Sequence, residues 1–320
     1  MGASPDSDLT MTIERYCPPL LGGLADAILD NVFRRLCQCQ SKSILEQLRA
    51  GVRYLDLRIA RHAESGTYYT CHGVYCVEMS GVMREICTFL TNHPKEIVIL
   101  DFNHLYEMDG HHVDFLKMVF GILGDKAASP KTTSAVSKVS EFWNRKKQAM
   151  IIYHASSDVW KDEPSLANRV YHNGYIHSPW PEANDTALLR SKLEGYVNSR
   201  HEDEHKNQLF VLQGMLTPDV ELIKNGLMRG DGLSIKAYAK LASPAVLDWC
   251  TEEWMTMAGG GRDDARRGGG GGGGRKNVDA AGKKEEEEEE KKRRLLNIVI
   301  VDFIEGVSIV PAIIDYNRRR

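Results

Sequence analysis

Five short stretches end in residues that can carry a proton or hold a charge. They are Leu55-Asp56-Leu57-Arg58, Cys71-His72-Gly73, Leu100-Asp101-Phe102-Asn103-His104, Ile152-Tyr153-His154 and Val301-Asp302-Phe303. The guanidinium of Arg58 is a planar fork that suits a phosphate group. The imidazole of His72 is suited to moving protons near neutral pH. An arginine, a histidine and carboxylates brought together point to phosphodiester chemistry. A second reading of Asp56 and Arg58 stays open beside it: a buried ion pair that closes the core.

Each stretch ends a β-rich run. The pattern predicts strands over Val52–Ala60, Thr67–Cys71, Glu96–Phe102, Gln148–His154, Gln208–Gln213 and Asn297–Phe303. Helical patterns lie between them, at Ser43–Ala50, Ser80–Thr91, His112–Leu123, Ser137–Arg145, Asp185–Asn198 and Ala237–Thr256, with Ile309–Tyr316 after the last strand. Strand alternating with helix predicts a parallel sheet and an α/β fold. The runs Ile97–Leu100 and Ile298–Val301 are apolar on both faces, as strands covered by helices and a packed interior must be. Along the first strand the period of two sends Leu55, Leu57 and Ile59 one way and Tyr54, Asp56 and Arg58 the other. In a parallel barrel the polar set would face the mouth, at the edge where catalytic groups converge. No Gly-x-Gly-x-x-Gly follows the first strand, so a dinucleotide-binding sheet is not indicated.

Composition narrows the function classes. The 320 residues are 42% hydrophobic and 27% charged, with a net charge of −3 and an isoelectric point near 6.4. No basic nucleic-acid footprint is present. No apolar run is long enough to span a bilayer. Met1–Thr10 lacks the pattern of a secretory signal. The seven cysteines include the pair Cys37 and Cys39 and the pair Cys71 and Cys76, without the spacing of a zinc site. Reduced thiols in the cytoplasm are expected. Residues 1–40 form an atypical segment in which Ala25–Cys37 reads as one amphipathic helix. Residues 258–294 hold the glycine run Gly268–Gly274 and the glutamate run Glu285–Glu290, and read as a disordered insertion. The other reading of that segment is a charged interaction tail.

Gly51-Val-Arg-Tyr-Leu-Asp-Leu-Arg58, then Cys71-His-Gly-Val-Tyr75, then His93-Pro-Lys-Glu-Ile-Val-Ile-Leu-Asp-Phe-Asn-His104 resemble the X domain of phosphatidylinositol-specific phospholipase C. The resemblance is greatest to the small X-domain-containing proteins without regulatory modules. Ser178-Pro-Trp180 and Asn297-Ile-Val-Ile-Val-Asp-Phe303 fit it too. It implies a distorted, incomplete TIM barrel over residues 41–317, interrupted by 258–294. It also implies cleavage of a glycerophosphoinositide through a cyclic inositol phosphate, by two histidines. By motif, His72 resembles the general acid. Arg58 would stabilise the phosphate, and Asp56 would orient the site. Asp302 resembles the carboxylate that holds the other histidine. Arg58, Asp101, Asn103 and Trp180 are the candidate substrate-binding residues.

The resemblance also bears on cofactors and partners. Arg58 stands where the large eukaryotic enzymes of the family carry an acidic calcium ligand. A metal-independent reaction is therefore expected, with no cofactor. Asp56, Asp101 and Asn103 as oxygen ligands for a divalent ion remain the alternative. The expected partner is a phosphatidylinositol-type lipid, met by a cytoplasmic protein in peripheral contact with a membrane surface. The expectation includes no nucleic acid and no transmembrane segment. One departure stands out. The family's first histidine belongs to a Pro-Gly-Ser-His type motif after the first strand, and residues 1–50 contain no histidine. The reading is therefore a barrel without its first strand and an impaired hydrolase. A non-catalytic headgroup binder is the alternative.

Overall fold

The computed structural model describes residues 35–135, 137–161, 163–199, 207–218, 234–259, 298–306 and 308–318. Of the helix expected over Ala25–Cys37, only Arg35–Cys37 are described, and they are helical. Apart from its first two residues, the low-complexity segment 258–294 lies outside the described residues, as does most of segment 1–40.

Helix α1 (Ile44–Arg49) leads into β1 (Tyr54–Arg61). Its start is fixed by a capping box. Ser43 Oγ accepts from the Glu46 amide at 3.2 Å, and Glu46 Oε2 accepts from the Ser43 amide at 2.8 Å. A hairpin follows, β2 (Tyr68–Cys71) and β3 (Tyr75–Glu78). After it come α2 (Met79–Asn92), β4 (Val98–Tyr106), α3 (His112–Leu123), α4 (Val139–Asn144) and β5 (Ala149–Tyr153). The second half holds β6 (Ile176–His177), α5 (Thr186–Ser199), β7 (Leu209–Gln213), α6 (Ile235–Gly259), β8 (Ile298–Ile300) and α7 (Ile309–Arg318).

Two sheets result, a 5-stranded one in the order β3-β2-β1-β4-β5 and a 3-stranded one in the order β6-β7-β8. The pairs β1–β4, β4–β5, β6–β7 and β7–β8 are parallel, as the alternation of elements predicts. The period of two holds. Leu55, Leu57 and Ile59 pack with Met79, Met83 and Ile86 of α2 and with Phe115 and Leu116 of α3. Tyr54 faces inward against Met150, Ile152, Ile176 and Val211. On β4 the apolar Val98, Leu100 and Phe102 meet the helices, and Asp101 and Asn103 take the alternate positions. Burying each such aliphatic side chain contributes about 1.5–3 kcal/mol, and this sets the register that aims the polar residues inward.

One element departs from the sequence reading. The run ending at Cys71 is not a further parallel strand. It lies antiparallel to β1, with Ile59 opposite Thr70 and Arg61 opposite Tyr68. The cause is its connection to β1. Only the short connection from His62 to Thr67 joins β1 to β2, which leaves no room for the helical crossover that a parallel partner of β1 needs. Period and propensity are the same in both directions.

The barrel is open. Among the described residues no ladder joins β1 to β8, and β2 covers only the Ile59–Arg61 end of β1. A cavity of about 1120 Å³ occupies that gap, lined by β1 on one side and by Ile298–Ile300 on the other. The expectation of an incomplete α/β barrel agrees with this architecture, whereas the segment before Arg35, on which the expectation of a missing first strand falls, lies outside the described residues.

Candidate active site

Tyr54, Asp56, Arg58, His72, Trp180 and Asp302 are among the residues that line the cavity. Alternation along β1 delivers Asp56 and Arg58. Asp56 is surrounded by protein on most sides, but its carboxylate opens onto the cavity. The Asn103 Nδ2 group donates to Asp56 Oδ1 at 2.8 Å. Burial pushes the Asp56 carboxyl above its ordinary value, against the bond from Asn103.

His72 arrives from the hairpin. Its amide donates to the Val74 carbonyl at 3.1 Å, a tight turn for which Gly73 adopts a φ of 71°. The His72 Nδ1 atom lies 3.1 Å from the Cys37 carbonyl oxygen. A carbonyl oxygen only accepts, so Nδ1 carries the hydrogen and the neutral ring keeps its lone pair on Nε2. Burial, followed by the charge of Arg58, holds His72 below the usual imidazole value.

Asp302 follows β8, and its position is set by residues that sequence reasoning passed over. Gln40 clamps the corner: its Nε2 donates to the Val301 carbonyl at 2.9 Å, and its Oε1 accepts from the Ile304 amide at 3.1 Å. The Phe303 amide donates to the Cys39 carbonyl at 2.9 Å. Cys39 thereby sits between the two candidate proton carriers. Its Sγ is 3.5 Å from His72 Nδ1, and its thiol bonds to Asp302. Burial raises Asp302 to about 7, although Cys39 and Arg58 pull it down. Burial and the neighbouring Asp302 push the Cys39 thiol well above its usual value, so it is not a thiolate nucleophile. The only sequence signal for this segment was the Cys37-x-Cys39 spacing.

Asp101 and Asn103 stand one layer back from the cavity lining. Asp101 is 2% exposed. Its Oδ2 accepts from the Tyr54 hydroxyl at 2.6 Å, and its Oδ1 faces His154 Nε2 at 2.7 Å. The two residues connect β1, β4 and β5 and brace Asp56. Trp180 lies in the cavity wall, partly exposed, with its carbonyl accepting from the Tyr196 hydroxyl at 3.0 Å. His104 is the extra residue of a bulge, since Arg58 pairs with Asn103 and Ile59 with Leu105. It has a φ of 47°, and its Nδ1 is 2.7 Å from Asn103 Oδ1.

The oxygen donors do not suit a hard cation. Both Asp101 oxygens are engaged, and Asn103 turns its amide nitrogen toward Asp56. Among the described residues, no group of three or more histidine, cysteine, aspartate and glutamate side chains is arranged to hold a metal. No described helix is long and apolar enough to cross a membrane.

The sequence profile of the phosphatidylinositol-specific phospholipase C X domain matches residues 30–155. PI-PLC X domain-containing protein 3 of Mus musculus is 30% identical over 226 residues, which cover 69% of this chain and 66% of that protein. The chain thus spans about two thirds of the length of this relative. The variant-surface-glycoprotein phospholipase C of Trypanosoma cruzi is 29% identical over 245 residues, 70% of this chain and 62% of that one. Among solved structures, the phosphatidylinositol-specific phospholipase C of Listeria monocytogenes superposes with a TM-score of 0.53 at 16% identity, over 90% of this chain and 86% of that one. The enzyme of Staphylococcus aureus gives 0.54 at 13% identity, over 92% and 87%. At such identities the superpositions speak for a shared fold, and the curated relatives speak for kinship. The chain belongs to the PI-PLC X domain family.

Proposed function

We propose that this chain is a phosphoric diester hydrolase that cleaves a glycerophosphoinositide at a membrane surface, through a cyclic inositol phosphate and without a metal. One observation carries the reading: Arg58 and His72 line the same cavity, in electrostatic contact, with Asp56 and Asp302 beside them. Arg58 receives the phosphate oxygens, and the imidazole moves a proton on or off a reacting oxygen. Asp56, held by Asn103, orients Arg58 or a headgroup hydroxyl. Trp180 supplies an apolar wall at the mouth. The barrel domain comprises residues 41–317, with 258–294 outside it as an insertion, and the protein works from the cytoplasm in peripheral contact with the lipid.

A second reading, a headgroup binder without turnover, is favoured by one observation. Among the described residues, His72 is the single imidazole lining the cavity. The two readings separate in one assay. Phosphatidylinositol vesicles are incubated with the full chain and excess chelator, and soluble inositol phosphates are measured. Release by the native chain but not by His72→Ala supports the hydrolase. Saturable binding of inositol 1-phosphate without release, weakened by Arg58→Ala, supports the binder.

A further inference from the structure

Among the described residues, three buried and uncharged polar side chains line the cavity: Gln47, Thr70 and Gln213. The Thr70 hydroxyl is used on both sides, donating to the Val77 carbonyl at 3.3 Å and accepting from the Val77 amide at 3.1 Å. Gln47 stands on α1, where its carbonyl accepts from the Val52 amide just before β1 begins. That is the edge opposite the strand ends that carry Arg58 and Asp302. Gln213 is the last residue of the parallel strand β7, and so belongs to the same edge as those two. Phe210 and Leu212 pack with Leu193 of α5 and Trp249 of α6, whereas Val211 packs inside with Tyr54 and Ile152. Alternation therefore turns Gln213 inward as well. Its pairing with Ile300 puts it on the β8 side of the cavity, while Arg58 stands on the β1 side.

The direction of the Gln213 amide is fixed. Its Nε2 donates to the Ser178 carbonyl and to the Ser178 hydroxyl oxygen, at 3.1 Å each. A carbonyl oxygen only accepts, so the nitrogen is the atom turned toward Ser178, and Oε1 is left for the cavity. Gln213 is 8% exposed, and among the described residues no donor meets Oε1. An acceptor held this way in a nearly closed wall is matched by a donor on whatever fills the cavity. We propose that Gln213 recognises a hydroxyl of the headgroup ring through Oε1 and is a specificity-determining residue of the site. The assignment rests on the phosphoinositide-headgroup reading above and holds with or without turnover. It adds a second anchor: phosphate on Arg58, ring hydroxyl on Gln213.

The two anchors select different atoms. Arg58 has donors only and takes phosphate oxygens. Oε1 is an uncharged acceptor. A phosphate oxygen placed against it would set acceptor against acceptor, whereas a hydroxyl supplies the missing hydrogen. A phosphocholine headgroup carries neither O–H nor N–H, so it would strip water from Oε1 and leave it unpaired. Sites built to bond a hydroxyl reject analogues that lack one for this reason. The same geometry gives Ser178 of the Ser178-Pro-Trp180 stretch a role. It aims the Gln213 amide and ties the loop that carries Trp180 to the end of β7.

Calorimetry of the full chain with inositol 1-phosphate and with cyclohexyl phosphate tests the proposal. Both ligands carry a ring and a phosphate, and only the first carries ring hydroxyls. The native chain should bind inositol 1-phosphate more tightly, by at least about 3-fold. Gln213→Leu should weaken inositol 1-phosphate by about 3- to 10-fold and bind cyclohexyl phosphate as well as the native chain or better. Equal losses on both ligands, or none on either, overturn the role of Gln213 and leave the headgroup reading intact. The comparison of ligands on the native chain needs no variant, so it stands even if Gln213→Leu does not fold. Cyclohexyl phosphate bound as tightly as inositol 1-phosphate, or more tightly, overturns the proposal there. A native chain that binds neither ligand overturns the headgroup reading along with it.

Discussion

The amide nitrogen of Asn103 donates to the carboxylate of Asp56 across two adjacent parallel strands, at 2.8 Å. The pair is the front of a polar network that continues through Asp101 to Tyr54 and His154, so a buried layer of β4 holds the residues of β1 in place. Replacing Asn103 by Leu removes a bond to a charged group and leaves Asp56 without its donor. The expected cost is about 1.5–3 kcal/mol in unfolding free energy. The Asp56 carboxyl should also titrate higher, because the bond from Asn103 opposes the effect of burial. Denaturant melts and carboxyl-detected NMR titration check the two effects, and an unchanged Asp56 titration would contradict the bracing role.

Gln40 should matter more than its place in a short loop suggests. Gln40→Ala removes the clamp on the Val301 carbonyl and the Ile304 amide. At about 0.5–1.5 kcal/mol for each bond, a loss of about 1–3 kcal/mol is expected. Local opening at the corner that carries Asp302 should rise with it. Hydrogen exchange at Ile304 reads this directly, and exchange as slow as in the native chain would refute the clamp.

Arg58→Ala should weaken binding of inositol 1-phosphate by about 10- to 100-fold, the equivalent of one charged hydrogen-bonding group. Arg58→Lys should recover only part, because an ammonium lacks the fork. Isothermal titration calorimetry measures both. Equal affinity for all three proteins would remove Arg58 from the phosphate site.

Stability should depend on pH through Asp302 and His72 with opposite slopes. Asp302 is raised from an ordinary 3.8 to about 7, so the native state holds a proton that the unfolded chain has released. Its contribution is full below 3.8 and is lost as pH rises through 7. His72 is lowered below 6.5, so its contribution is present above 6.5 and is lost as pH falls through its folded value. Asp302→Asn should therefore gain thermal stability relative to the native chain at pH 8 and not at pH 4. A Tm difference that is the same at both pH values would contradict a raised Asp302.

Much of this architecture was legible in the sequence because it is local. The apolar run Ile97–Leu100 and the alternation from Tyr54 to Ile59 fix strand identity and facing together, and they place Asp56 and Arg58 on the cavity side. The helical pattern over Ser43–Ala50 forms as Ile44–Arg49, with Ser43 as its N-cap. The direction of Tyr68–Cys71 was not legible, since antiparallel and parallel strands share one period. β3 and β6, of four and two residues, are too short to show any period. The neighbours of Asp302 were hidden for another reason. The bond from Gln40 to Val301 spans 261 positions, and nothing about a glutamine in a loop announces it. Asp101 and Asn103 were readable as site residues but not as braces, because that distinction depends on which layer of the sheet interior each one reaches.

The central claim is that Arg58 and His72 act on one phosphorus atom. Its most direct measurement is ³¹P NMR of phosphatidylinositol micelles incubated with the full chain in excess chelator, with Arg58→Ala and His72→Ala in parallel. The predicted result is a five-membered cyclic phosphodiester resonance that grows with the native chain, with its rate cut by at least about 100-fold in each variant. A resonance that grows equally in all three samples, or in none, would contradict it.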